Sequence, residues 1–72
     1  MNNNEILKKL RIAFSMKDTD VKKTLELSDM FLSQTEINAF FRKSSQRNYV
    51  ACGDQVLRRF LDGIIERERK GK

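Results

Sequence analysis

One cysteine, ten acidic side chains and no histidine are the groups in this 72-residue chain from which a reactive centre could be built. Cys52 stands just before a helical apolar pattern, and a helix N-terminus favours the thiolate form of a cysteine. A cysteine nucleophile of the Cys–His type needs an imidazole base, and the chain has none. The residue therefore reads as a small, half-buried capping residue. Local helix chemistry accounts for the carboxylates. Glu36 has capping-box spacing from Ser33, and Asp18, Asp20 and Asp54 stand at helix starts, where the dipole favours an acid. One cysteine without histidine excludes the common zinc sites. No glycine-rich phosphate loop and no serine-centred elbow is present. The sequence points away from an enzyme, from a cofactor or metal, and from a small-molecule substrate.

Recognition chemistry offers more. Val21 to Lys43 has the layout of a helix-turn-helix: a short helix, a turn around Met30-Phe31-Leu32, and a well-capped second helix. That second helix turns Thr35, Asn38 and Arg42 outward, with Lys43 at the edge. These residue types can read base edges in a DNA groove. The usual motif often carries a glycine in its turn, where this chain has Asp29-Met30-Phe31. A second basic set, Lys8, Lys9, Arg11, Arg58 and Arg59, forms a patch if the first and last helices are neighbours, and is otherwise an ordinary solvated face. Fifteen basic residues against ten acidic ones give a net charge of +5, a modest pull toward polyanions.

The elements that position these groups are helical. In the last third, Val56, Leu57, Phe60, Leu61, Ile64 and Ile65 recur with helical period and make one wide apolar face that must lie against something. Earlier, Asn2-Asn3-Asn4 supplies an N-cap, Glu5 follows in the first turn, and Ile6, Leu7, Leu10, Ala13 and Phe14 form a stripe. Asp18 can cap a second, short helix that carries Val21 and Leu25 inward and ends near Asp29. Ser33 and Glu36 form a capping box, and Leu32 and Ile37 occupy the hydrophobic-staple positions, so a third helix starts there with Ile37, Phe40 and Phe41 inward and Ala39 outward. Residues 44–51 read as a loop pinned to the core by Tyr49 and Val50. Cys52 or Gly53 then caps the final helix, with Phe60 expected against Leu10 and Phe14. No segment alternates for long enough to be a strand.

Residues 1–65 thus read as a single helical domain, and 66–72 as a charged tail that frays for want of an apolar anchor. The expected fold is all-α, a compact bundle of four short helices with a central helix-turn-helix-like pair. The N-terminus has no signal-peptide character, and no apolar run approaches the roughly 18 residues of a membrane span. A lone cysteine fits a reducing compartment, with the cytoplasm as the default.

A chain this short buries only about 60% of its unfolded surface, and small domains usually lean on a disulfide, a metal or a partner. With one cysteine and no histidine, the partner remains. Ile12 and Met16 stand four residues apart off the first helix's stripe, which suggests a second contact surface. Gly63 flanks the apolar face of the last helix, where glycine costs about 1 kcal/mol relative to alanine. Close approach of another helix would justify it. The expected partner is a second copy, held as a weak homodimer with Ile12, Met16 and Gly63 at or near the contact.

Asn3-Asn4, then Lys8-Lys9-Leu10-Arg11-Ile12-Ala13-Phe14-Ser15, then Cys52-Gly53-Asp54-Gln55 with Leu57, Phe60-Leu61 and Gly63, resemble the YehS-like family of small bacterial proteins of unknown function. The resemblance runs from about Asn2 to Ile65. It implies a unit that family members carry twice in tandem, with this chain similar to the second repeat alone. A surface buried between repeats would then be exposed here, and a second repeat joins a second copy as the expected partner. The resemblance implies no activity, cofactor or catalytic residue. The sequence reading is a helical protein-interaction module without catalysis, or alternatively a helix-turn-helix-like nucleic-acid-binding protein.

Overall fold

A computed structural model describes residues 1–70. Its four helices are α1 (Asn3–Ala13), α2 (Asp18–Leu27), α3 (Gln34–Phe40) and α4 (Asp54–Lys70), and no strand occurs among the described residues. This is the expected all-α bundle. Leu7, Val21, Leu25, Ile37 and Phe60 are fully buried at its centre. Leu10, Phe14, Leu32, Phe41, Val56 and Leu57 pack around them, half-buried. Phe60 is thus a core residue, with Leu10 and Phe14 at the edge of the same cluster.

Both early helices stop in the same way. The N–H of Ser15 bonds the Ile12 carbonyl and that of Met16 the Arg11 carbonyl; Asp29 and Met30 repeat the pattern onto Glu26 and Leu25. Ser15 and Asp29 stand in the left-handed region, with φ of 52° and 63°. These are Schellman turns built without glycine, which costs a side-chain-bearing residue some strain. The turn corrects the expectation for Met16. Because α1 ends at Ala13 and the chain reverses at Ser15, Met16 swings into the core and is 5% exposed. Ala13, expected in the buried stripe, is exposed at the last turn.

The N-termini follow the sequence more closely. Asn2 caps α1, its side chain accepting from the Glu5 N–H at 2.9 Å. At α3 both halves of the capping box form: the Glu36 N–H donates to Ser33 Oγ, and the Ser33 N–H to Glu36 Oε1, each at 3.1 Å. At α2 the cap is Lys17, not Asp18. Asp20 accepts from the Lys17 N–H at 2.9 Å, and Asp18 is freed to pair with Arg11 at 2.9 Å.

Helix α4 lies mainly along α2, running antiparallel to it, and touches α1 more lightly. A methyl group at Gly63 would overlap the Thr24 carbonyl group, so the two backbones meet there. The close approach inferred from the cost of glycine is real, and it is made within the chain. Gly63 is buried and offers nothing to a second copy. A turn earlier on α4, Arg59 Nη1 donates to the Ser28 carbonyl at 3.0 Å, and Ser28 Oγ donates to the Arg59 carbonyl at 2.7 Å. The helix continues through 66–70, where the sequence suggests a fraying tail; residues 71–72 of that tail lie outside the described residues.

The loop from 42 to 53 is held by its backbone. The Val50 N–H donates to the Ala39 carbonyl at 3.2 Å. The Val50 side chain is exposed and only Tyr49 is half-buried, so the expected side-chain pin is a backbone one. Ala39, expected outward, is buried.

Candidate functional site

Four polar residues singled out for nucleic acid sit on or just beyond α3. The helix has seven residues, about two turns. Thr35 is exposed on it. Asn38 is half-buried, and its Oδ1 accepts from Gln34 Nε2 at 3.0 Å, while the same Gln34 amide donates to the Asp18 carbonyl at 3.2 Å. Arg42 and Lys43 follow the C-cap residue Phe41 and project from the loop, both exposed. They do not stand on a recognition helix.

What the fold does assemble is a pair of clefts around that loop. The first, of about 180 Å³, is lined by Glu5 and Lys8 of α1, by Arg42 and Lys43, and by Phe41 and Tyr49. The second lies where Thr35 and Glu36 face Arg47 and Asn48, and it shares Arg42 and Tyr49 with the first. The basic patch expected across α1 and α4 does not gather in the same way. Arg11 is paired with Asp18 and its guanidinium stacks over Phe41, 5.0 Å from the ring centre, and Arg59 is spent on the end of α2.

Cys52 is buried. Burial pushes its thiol up from the ordinary 9.0, the Asp54 carboxylate adds to the rise, and a hydrogen bond from the Leu57 backbone opposes it. A thiolate is disfavoured, so the helix start does not activate this cysteine. Among the described residues, no three acidic, cysteine or histidine side chains converge to hold a metal ion. No helix there is long and apolar enough to cross a membrane.

The residues that sequence reasoning undervalued are Asn3 and Asn4. Read as caps, they act at long range. Asn4 Nδ2 donates to the Phe40 carbonyl at 3.0 Å and to the Val50 carbonyl at 2.9 Å, and its Oδ1 accepts from the Cys52 N–H at 2.8 Å. Asn3 Nδ2 donates to the Cys52 carbonyl at 3.1 Å and to Asp54 Oδ1 at 2.7 Å. Two amides thereby join the start of α1 to the end of α3 and the start of α4. The hint was present: Asn3-Asn4 and Cys52-Gly53-Asp54 are both among the motifs that carry the family resemblance.

For self-association, the three residues singled out part company. Met16 and Gly63 are buried within the chain, and Ile12 is 66% exposed. Ile12 stands alone, with charged Lys8 a turn before it. A larger apolar strip emerges on α4. Leu61 and Ile65, expected inward, are 41% and 51% exposed, one turn apart, in line with half-buried Leu57. Leu57 and Leu61 each stand two positions from Arg59 and face nearly opposite to its contact with Ser28 of α2, while Ile65 borders the cleft beside Ser28 and Arg59. The apolar face of α4 is wider than its cover.

No solved structure matches the chain. Over all 72 residues it is 44% identical to the uncharacterized protein YehS of Escherichia coli (strain K12), of which it spans 46%. The chain thus spans about half the length of this relative. A family described only as proteins of unknown function, DUF1456, matches residues 3–70, and the chain belongs to that family.

Proposed function

We propose that the chain is a helical protein-interaction module that packs against another copy of the same unit and performs no catalysis. The copy is supplied either by a second molecule or by the other half of a double-length chain. The observation that carries this reading is the uncovered strip of Leu61 and Ile65 beside Leu57 on α4. Two-fold pairing covers such a strip with itself and closes. The length of the bacterial relative, roughly twice this chain, leaves room for a second unit there. A lone buried thiol suits a reducing compartment, and we assign the module to the cytoplasm. The base-reading alternative has less to stand on, because α3 is short and Asn38 is already held by Gln34.

Sedimentation equilibrium tests the proposal. The parent chain should dimerise at micromolar to high micromolar concentration. Leu61→Lys with Ile65→Lys should give a monomer that keeps its helical circular dichroism, since both side chains are already half in water. Ile12→Lys should leave the dimer intact. A parent that stays monomeric at high micromolar concentration would sink the self-association reading. A dimer sensitive to Ile12→Lys alone would move the interface to α1.

A further inference from the structure

We infer that the surface around the α3–α4 loop binds the phosphodiester backbone of nucleic acid without reading its sequence. Three of the basic side chains are engaged within the fold. Arg11 is paired with Asp18, Arg69 with Glu66, and Arg59 with the carbonyl end of α2. Most of the other basic side chains among the described residues enter no hydrogen bond or ion pair, and what sets Lys8, Arg42, Lys43 and Arg47 apart is where they gather. These four come from α1 and from two places in the loop, and the fold draws them to the two clefts that share Arg42 and Tyr49.

Helix electrostatics explains part of this cluster. Arg42 and Lys43 follow the C-terminus of α3, where the dipole favours cations. That effect does not reach Lys8, which comes from another helix, or Arg47, four residues farther along. The acids at the site do not cancel it. Glu36 is engaged with the Ser33 N–H, and Glu5 is the one acid lining the first cleft. Four cations against two acids leave a positive surface that runs through both clefts.

The spread of the charge indicates the ligand. One small anion would fill one cleft and leave the other cations idle. A chain of phosphates meets all of them in turn, and such contacts to Arg and Lys carry affinity and position without sequence information. The Oδ1 of Asn38, the amide best suited to a base edge, already accepts from Gln34, which leaves this surface better fitted to phosphates than to bases. This site is independent of the α4 strip, and neither needs the other.

The test is fluorescence anisotropy with a labelled single strand of about twenty thymidines and a duplex of similar length, from about 50 to 200 mM salt. Four neutralised phosphates predict a slope of log affinity against log salt of about −3 for the strand and nearer −4 for the duplex. Arg42→Ala with Lys43→Ala should weaken binding about tenfold or more and flatten the slope by about 1.5–2. Arg58→Ala with Arg69→Ala removes the same charge from the outer face of α4 and should change the affinity far less. If the first variant loses its helical signal, Lys8→Ala with Arg47→Ala replaces it, with the same expected loss. Binding of either probe with this pattern supports the inference, and the preferred probe tells which form of backbone fits. No anisotropy change at the lowest salt overturns it. So does an equal loss in the α4 control, which would reduce the effect to net charge.

Discussion

At its start, α4 is tied to the rest of the molecule by two side-chain amides; in its middle, it is held to α2 by the lack of a side chain. The first region is the set of bonds from Asn3 and Asn4 to the backbone at residues 40, 50 and 52 and to the Asp54 side chain. The second is the meeting of Gly63 with the Thr24 carbonyl. One works by direction: an amide side chain offers a donor group and an acceptor on one rigid plane, and Asn4 uses both. The other works by shape: the helices approach because nothing projects between them. The two should fail in different ways. Losing the amide leaves buried polar groups unpaired, and filling the glycine position pushes two helices apart.

Phe60 belongs to neither device and serves both, since it fills the centre beneath them. Phe60→Ala should have the largest effect of any single change, about 3–5 kcal/mol. For a domain this small that means a chain unfolded at ordinary temperature. A mutant with a cooperative melt near that of the parent would show that the two devices hold α4 without the core.

Asn4→Ala comes next. It strands the Phe40 carbonyl and the Cys52 N–H, and exposes the Val50 carbonyl to whatever water can reach it. A buried backbone group left unpaired costs about 1–3 kcal/mol, and we expect about 3 kcal/mol in all from chemical denaturation. Asn4→Asp sharpens the point. It keeps an acceptor for the Cys52 N–H and turns a carboxylate oxygen toward two carbonyls. It should be no more stable than Asn4→Ala; a stability close to the parent's would mean that the two donated bonds contribute little.

Gly63→Ala is the matching test of the second region. Alanine gains about 1 kcal/mol of helix propensity. The new methyl overlaps a backbone carbonyl, which cannot rotate away as a long side chain would, and overpacking of this sort costs about 1–3 kcal/mol. The net loss should be about 0–2 kcal/mol. A stabilised Gly63→Ala protein would show that α2 gives way easily and that the close approach is incidental.

The sequence was informative wherever the determining interaction is local. Ser33, Glu36, Leu32 and Ile37 lie within six consecutive residues, and the start of α3 can be read from them alone. Periodicity placed α1 and α4, and local start signals placed α2 and α3, for the same reason. Met16 could not be read because the turn that buries it depends on Ser15 adopting a left-handed conformation, for which the usual glycine signal is missing. Asn4 misleads in the opposite sense: asparagine before a helix has a ready local explanation, and its actual partners lie 36 to 48 residues away. Gly63 was half legible. The cost of glycine in a helix implies a close neighbour and leaves open whether that neighbour is in the same chain. The candidate binding residues fared in the same way. Thr35, Arg42 and Lys43 were singled out by their chemistry and are exposed, but which other side chains share their clefts, Lys8 and Arg47 among them, depends on the path of the loop.

The smallest effect concerns Cys52, whose backbone N–H is the acceptor-bound end of the first region. Burial raises its thiol above the ordinary 9.0, with Asp54 acting in the same direction. In the unfolded chain the thiol titrates near that ordinary value, so between the two values the folded state holds the proton and the unfolded state has lost it. Stability then falls with rising pH. The contribution is fully present below about pH 9 and is lost as the pH climbs from there through the folded value. Parent and Cys52→Ala should therefore have melting temperatures that diverge as the pH rises above about 9, with the parent losing more. The difference between the two proteins, and not either curve, is the measurement. Parallel curves would mean that Cys52 has no more trouble ionising in the folded chain than in the unfolded one. The same thiol also separates the two regions. Asn4→Ala releases the Cys52 backbone and should speed labelling of the thiol by a disulfide reagent at neutral pH. Gly63→Ala acts three turns away and should leave the labelling rate close to the parent's once both are compared at equal global stability. Equal acceleration in both variants would mean that α4 loosens as one body, and that its two attachments are not separate devices.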